Sequence, residues 1–250
     1  MFPGPRLCDA PLMAEFAKAL PHGPLEEVFP DVFVVTGTFK GGFLVSFPRN
    51  MIVVRDGNSL SLINSVRLNA DAEAELEKLG KVEHIVKIGA FHGMDDPYNV
   101  SRFKAKLWAM PGTRFSGDLK TDEELSDNNL PFAGVKLFSF QNAKRPEGAL
   151  LLEREGGVLI TCDSVQNWTS MDGCSLAAKL VMKRAGFLGK ANFGPFWVKF
   201  QNKKNGRLEE DYRRLGELEF AHQLGGHGAP LMNEARTCFS KTLTRVYGEA

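Results

Sequence analysis

Four short runs rich in β-branched and aromatic residues crowd into residues 32–64: VFVVTGTF (32–39), FLVSF (43–47), MIVVRD (51–56) and SLSLIN (59–64). Such runs read as strands. PRN and DGN punctuate them. Arg-Asp-Gly-Asn (55–58) is a strong hairpin signal, because Gly57 and Asn58 tolerate positive φ. Strands this close, joined by tight turns, make an antiparallel meander. TGTFKGGF (36–43) contains glycines but lacks the Gly-Lys-Ser/Thr end of a phosphate loop, and a hairpin turn explains it.

Beyond residue 64 the pattern changes. NADAEAELEKLGK (69–81) reads as a helix, with Asn69 as cap, acids in the first turn and Gly80 at the end. HIVKIGA (84–90) reads as an apolar strand and NVSRFKAKLWA (99–109) as a second helix. KLFSF (136–140), ALLLERE (149–155) and GVLITCDS (157–164) read as strands. Helices are expected over 174–187, 207–220 and 231–247. Two sheets face to face with helices outside fit this order. The first 30 residues hold six prolines and read as an extended lead-in with a short helix near 12–19. Residues 31–250 then form one domain.

Composition excludes several classes. With 43% hydrophobic and 24% charged residues, the chain resembles ordinary globular domains. A net charge of +1 gives no global attraction to nucleic acid or anionic membrane. Four cysteines, Cys8, Cys162, Cys174 and Cys238, lie far apart and form no zinc-ribbon pair. The start, MFPGPRLCDAPLMAEF, has no basic region followed by an apolar core, and no apolar run approaches the length of a membrane span. A reduced, cytoplasmic setting is therefore expected. In that setting the sequon NWT (167–169) carries little weight.

Candidate chemistry falls at strand ends, where loops present groups to a site. FHGMDDPY (91–98) brings His92, Asp95 and Asp96 directly after an apolar run. Asp163 follows VLIT, and His227 stands in GGHGAP between Gly226 and Gly228. Carboxylate plus imidazole suits Zn, Fe or Mn. Each signal alone has a plainer reading. A histidine in a glycine loop is usually a turn residue, and an aspartate ending a strand is usually a turn former or cap. Cys162 reads as a small buried hydrophobe, because adjacent strand residues face opposite ways.

Taken in order, these stretches resemble the metallo-β-lactamase fold superfamily over roughly residues 30–232. LINSV (62–66) stands where that family has an LIDTG-like motif, with Asn64 in place of the Asp. FHGMDDP (91–97) stands at the His-x-His-x-Asp-His signature. His92 falls on the first His, Met94 on the second, Asp96 on the Asp and Pro97 on the last His. QNAKRPEGA (141–149) replaces the turn that carries a third His, with Lys144 or a neighbour there. ITCDS (160–164) matches the strand whose Asp bridges two metals, through Asp163, and GGHGAP matches the final His, through His227.

The resemblance implies an α/β fold, a four-layer αββα sandwich. It also implies metal-dependent hydrolysis with a degenerate site holding at most one Zn, Fe or Mn. Asp96, Asp163 and His227 would be ligands. His92 would be a ligand or acid–base group, and His92 with Asp96 would be catalytic. Lys144 would compensate charge or anchor a small-molecule substrate. The alternative is a metal-free, non-catalytic relative that binds a small anion or a partner. FLGKANFGPFWVKFQNKKNGR (187–207) interleaves aromatics with lysines and raises a third reading, single-stranded nucleic acid. The near-neutral charge argues against it. The stretch also reads as an apolar cover over the site mouth. Aromatics facing solvent together would favour binding, and aromatics in the core would favour the cover.

Overall fold

The computed structural model describes residues 16–42, 44–115, 117–203 and 207–249. Seven strands form the first sheet, in chain order across it: β1 (Glu26–Phe29), β2 (Val32–Lys40), β3 (Ser46–Asp56), β4 (Ser59–Ile63), β5 (Lys81–Lys87), β6 (Lys106–Ala109) and β7 (Glu123–Glu124). The meander is there, and β1 adds its outer edge. Gly57 has φ +60° and turns β3 into β4, with Asp56 facing Ser59. Asn58 is not in the left-handed region, so the turn uses positive φ at its first central position only.

Two expected boundaries move. FLVSF and MIVVRD are not two strands, because β3 runs through PRN (Phe43 lies outside the described residues). A proline is tolerated there because β4 pairs only with residues from Ile52 onward. Free of the ladder on that side, Asn50 N–H donates to Gly226 O (2.8 Å). The expected helix over 99–109 is shorter and starts earlier. Helix α2 covers Asp96–Phe103, after α1 (Ala70–Leu79), and KLWA becomes β6. Lys104, at φ +54°, ends α2. Leu107, Trp108 and Ala109 then gain more by lying buried beside β5 than by extending a helix. Asn69 caps α1 as expected, accepting from Ala72 N–H at 2.9 Å. Of the helix expected near 12–19, residues 12–15 lie outside the described residues, and 16–19 carry no helix.

The second sheet has the order β13–β10–β9–β8, from β8 (Val135–Ser139), β9 (Gly148–Leu152), β10 (Val158–Thr161) and β13 (His222–Gly225). A two-stranded ribbon, β11 (Val165–Trp168) with β12 (Gly189–Phe193), flanks it. The helices α3 (Leu176–Ala185), α4 (Pro195–Gln201), α5 (Leu208–Gly216) and α6 (Ala235–Tyr247) complete the chain. The sequence had not suggested β1, β7, β11, β12, β13 or α4, all short.

Strand alternation builds the layers. On β3, Ile52 and Val54 meet Leu150, Leu152, Val158 and Ile160 of the second sheet in one core. Met51 and Val53 face the other way, onto Ala72 and Leu76 of α1. On the far side of the second sheet, Leu151 and Leu159 pack on Tyr212, Leu215 and Phe239 of α5 and α6. Helix, sheet, sheet and helix therefore follow one another as four layers.

Candidate active site

Parallel pairing gathers the site. β10 and β13 run parallel, with Thr161 beside Gly225, so the loops after them emerge together. These loops carry Asp163 and His227. β4 and β5 also run parallel, and the loops after them bring Ser65 and His92 to the same edge of the sandwich. Glycines make the close approach possible. A Cβ on Gly226 would sit 3.0 Å from His92 Cε1, and one on Gly89 would sit 2.3 Å from Cys162 Sγ. Gly228, at φ +83°, leaves no room for a side chain against Asn167 O. GGHGAP is thus glycine-rich because backbones pack there.

His92 Nε2 and His227 Nε2 lie 3.0 Å apart. Asp163 Oδ1 is 3.3 Å from His227 Nε2 and 3.8 Å from His92 Nε2. Both imidazoles are buried. His227 Nδ1 lies 2.9 Å from Pro48 O, a carbonyl that can only accept, so Nδ1 carries the hydrogen. The ring also stacks on Trp168, with centroids 5.7 Å apart. Burial pushes the His92 imidazole down to about 3, so it is neutral at pH 7. Burial alone would raise the Asp163 carboxyl, but the neighbouring His92 and His227 outweigh it and hold it near 2.

The donor set suits one ion. Tetrahedral zinc with bonds of ~2.0–2.2 Å spaces its ligand atoms roughly 3.3 Å apart, which the three separations bracket. The hydrogen on Nδ1 leaves His227 Nε2 as the atom for a cation, with Pro48 as its outer partner. Cys162 Sγ is also within 4.8 Å of donor atoms of His92 and Asp163. Burial pushes its thiol well up, followed by Asp163 and Glu147. It remains a protonated member of the core, 3.8 Å from Asp163 Oδ2.

Asp96 is buried but lies outside this group. Its Oδ1 accepts from Ser65 Oγ at 2.7 Å, and Asn99 Nδ2 donates to that hydroxyl at 2.9 Å. Its Oδ2 has no partner. Burial raises its carboxyl against the pull of Lys87, Ser65 and Arg49. Asp95 pairs with Arg49 and accepts from Arg67 N–H at 2.7 Å. Two buried cations, Lys87 and Arg49, therefore serve the acids of FHGMDDPY. A second ion beside Asp96 does not fit this charge arrangement. Met94 points half into solvent, and Pro97 opens α2.

Lys144 is exposed and touches the fold through its backbone, its N–H donating to Gln201 O at 2.7 Å. Its neighbour Arg145 faces the site, with the guanidinium 4.9 Å from the Phe91 ring centre. Sequence reading missed three residues here, Arg49, Lys87 and Glu147, while Arg145 is a neighbour of Lys144 in the turn already singled out. Glu147 is buried, and its Oε1 accepts from the N–H groups of Asp163 (2.9 Å) and Ser164 (2.8 Å). A signal existed for Lys87 and Glu147, since each is a single charge inside or against an apolar run.

Two cavities open from the three donors. The smaller, about 120 Å³, is lined by Phe39, Arg49, Met94 and the three donors among others. The larger, about 530 Å³, shares Asp163 and His227 and is otherwise lined mostly by apolar side chains. The aromatics of 187–207 divide between core and surface. Phe187, Phe193 and Trp197 are buried, while Phe196 and Phe200 are exposed at the larger cavity's mouth.

No protein-family model matches the chain, and no curated protein does. Solved structures do. The metallo-β-lactamase FIM-1 from Pseudomonas aeruginosa, in its mono-zinc form, superposes with a TM-score of 0.62 at 11% identity, covering 92% of this chain and 97% of that one. The metallo-β-lactamase from Erythrobacter litoralis gives 0.58 at 11% identity, over 92% and 96%. That from Pontibacter korlensis gives 0.55 at 14% identity, over 88% and 98%. With its two facing sheets, outer helices and strand-end site, this chain is a protein of the metallo-β-lactamase fold.

Proposed function

We propose that the chain is a divergent metallo-β-lactamase-fold hydrolase that uses at most one metal ion, held by His92, Asp163 and His227. The observation that carries this reading is the three-donor group, with one imidazole neutral, one carboxylate ionised and one tautomer set by Pro48. A bound Zn, Fe or Mn would supply a water of lowered pKa and polarise a carbonyl. The chain's own residues do the rest. Glu147 fixes the backbone that carries Asp163. Asp163, ionised, would help hold the ion and orient the water beside it. Phe47 and Trp168 hold the His227 ring in place. Asp96, expected among the ligands, supports the loop through Ser65 in this reading, and Arg145 takes the anchoring part first given to Lys144. The mono-zinc state of FIM-1 shows that this fold holds a single zinc in that protein.

One observation favours a second reading, a metal-free binding protein. Lys87 and Arg49 already offset buried carboxylates, and His92 Nε2–H can donate directly to His227 Nε2. Metal analysis by plasma mass spectrometry, without a chelator or metal-binding tag, separates the two. The hydrolase reading expects about one Zn, Fe or Mn per chain, lost in both Asp163→Ala and His227→Ala. It also expects ester, lactone, thioester or phosphodiester hydrolysis that disappears with the metal. A wild-type chain that takes up none of these ions on reconstitution would leave the binding reading in possession.

A further inference from the structure

The larger cavity beside the three donors is bigger and more apolar than a small polar substrate needs. Its volume of about 530 Å³ lies within the range that engulfs a drug-sized ligand. Asp163 and His227 line one part of it, and Phe47, Trp168, Met182, Phe187 and Trp197 are among the apolar side chains that line the rest. The mouth is apolar as well: Val181 is 48% exposed, Phe196 43% and Phe200 54%. Scattered exposed apolar residues need no explanation, but here three ring the entrance of one apolar cavity.

Polar features sit at defined places. Gln166 is engaged, donating to Asp163 O (3.1 Å) and accepting from Trp168 Nε1–H (2.7 Å). Gln201 is not. It is 6% exposed and lines the cavity, yet its Oε1 has no partner. A buried amide oxygen left unpaired costs about 1–3 kcal/mol. Arg145 is exposed at the rim, braced on Phe91, and Lys144 and Lys203 are exposed nearby. The entrance is therefore apolar inside and basic outside.

We propose that this cavity binds a single acyl chain, with its carbonyl end toward Asp163 and His227 and an anionic polar remainder held outward by Arg145. The proposal deepens the hydrolase reading by naming its substrate as an acyl ester or thioester. It rests on that reading for the reaction and not for binding. In the reaction, a water oxygen bonds to the acyl carbon and the carbon–oxygen or carbon–sulfur bond breaks. The electron pair of that bond leaves with the alcohol or thiol, which takes one of the water's protons. The second proton is released from the carboxylic acid product.

Calorimetric titration of the intact protein with butyrate, octanoate and dodecanoate, all below micelle formation, tests the cavity directly. Affinity should rise roughly fourfold per added methylene until the cavity is full. Arg145→Gln should leave this chain-length trend unchanged, because Arg145 holds the polar remainder that these acids lack. Ala178→Leu, inside the cavity, should weaken dodecanoate at least tenfold and leave butyrate unchanged. Val181→Phe at the half-exposed rim should do the same, and a substitution there is tolerated by the fold. Equal affinity for all three chain lengths, or dodecanoate binding unmoved by both cavity variants, overturns the proposal. Turnover of p-nitrophenyl butyrate and dodecanoate is read in parallel. Length-dependent binding with both esters left intact keeps the acyl cavity and removes only the hydrolase.

Discussion

Glu147 shows how a site is held by a residue that does no chemistry on a substrate. Burial first, and the nearby Asp163 charge second, push its carboxyl well above the ordinary range. The two backbone N–H groups on Oε1 pull the other way, toward the ionised form, but burial and the Asp163 charge outweigh them. Glu147→Ala would leave both buried N–H groups unpaired. We expect a loss of about 3 kcal/mol, seen as a lower thermal midpoint. Glu147→Gln keeps an acceptor oxygen and should restore most of it. A Gln variant as unstable as the Ala variant would show that the N–H contacts are not what matters. His92, Asp163 and His227 were legible because imidazoles and acids at strand ends are few. Glu147 and Lys87 carried only the signal of a lone charge in or against an apolar run, and their partners were not legible, because the packing that buries each charge joins segments far apart in sequence.

Among the elements, the end of α2 is the most informative. Apolar residues recur in NVSRFKAKLWA at a spacing that serves either a helix or a short buried strand. Tertiary pairing decides between them. The turn at Lys104 puts a non-glycine residue at φ +54°, which costs roughly 1 kcal/mol. Lys104→Gly should therefore stabilise the protein by up to about 1 kcal/mol, less the entropy glycine adds to the unfolded chain. Chemical denaturation of the two proteins measures it, and a destabilised glycine variant would mean that the Lys104 side chain contributes contacts of its own. The strands missed in the sequence share one cause. β7, β11 and β13 have two to four residues each. Runs that short carry no readable periodicity and exist because a neighbouring strand supplies their hydrogen bonds.

For the whole molecule, charge burial links stability to pH. His84 Nδ1 accepts from Trp108 Nε1–H at 2.9 Å, and burial holds its pKa below the ordinary 6.5. The unfolded chain binds that proton near pH 6.5 and the folded chain only at lower pH. Its contribution is therefore present above 6.5 and is lost as pH falls toward the folded value. His92, held near 3 by burial, acts with the same sign. The urea midpoint of the wild type should drop between pH 7.5 and 5.5. His84→Gln, which can still accept from Trp108, should drop by about one proton's slope less. Equal drops in both proteins would assign the acid sensitivity elsewhere.

The sequence by itself determined the meander, the helix capped by Asn69 and the two-sheet architecture, and it put His92, Asp163 and His227, together with Asp96, among the candidate site residues. Each depends on local signals: alternation, turn glycines, a cap, rare side chains at strand ends. Tertiary structure alone decided that β3 runs through Pro48, that Asp96 turns to Ser65, and that Arg145 faces the site while Lys144 faces solvent. It alone decided that Arg49 and Lys87 occupy the charge space of a second ion, and that an apolar cavity opens beside His227. The physical reason is common to all of these. Burial, pairing and charge compensation depend on which distant segments meet, and two loops emerging from parallel strands of one sheet meet only once the sheet has formed.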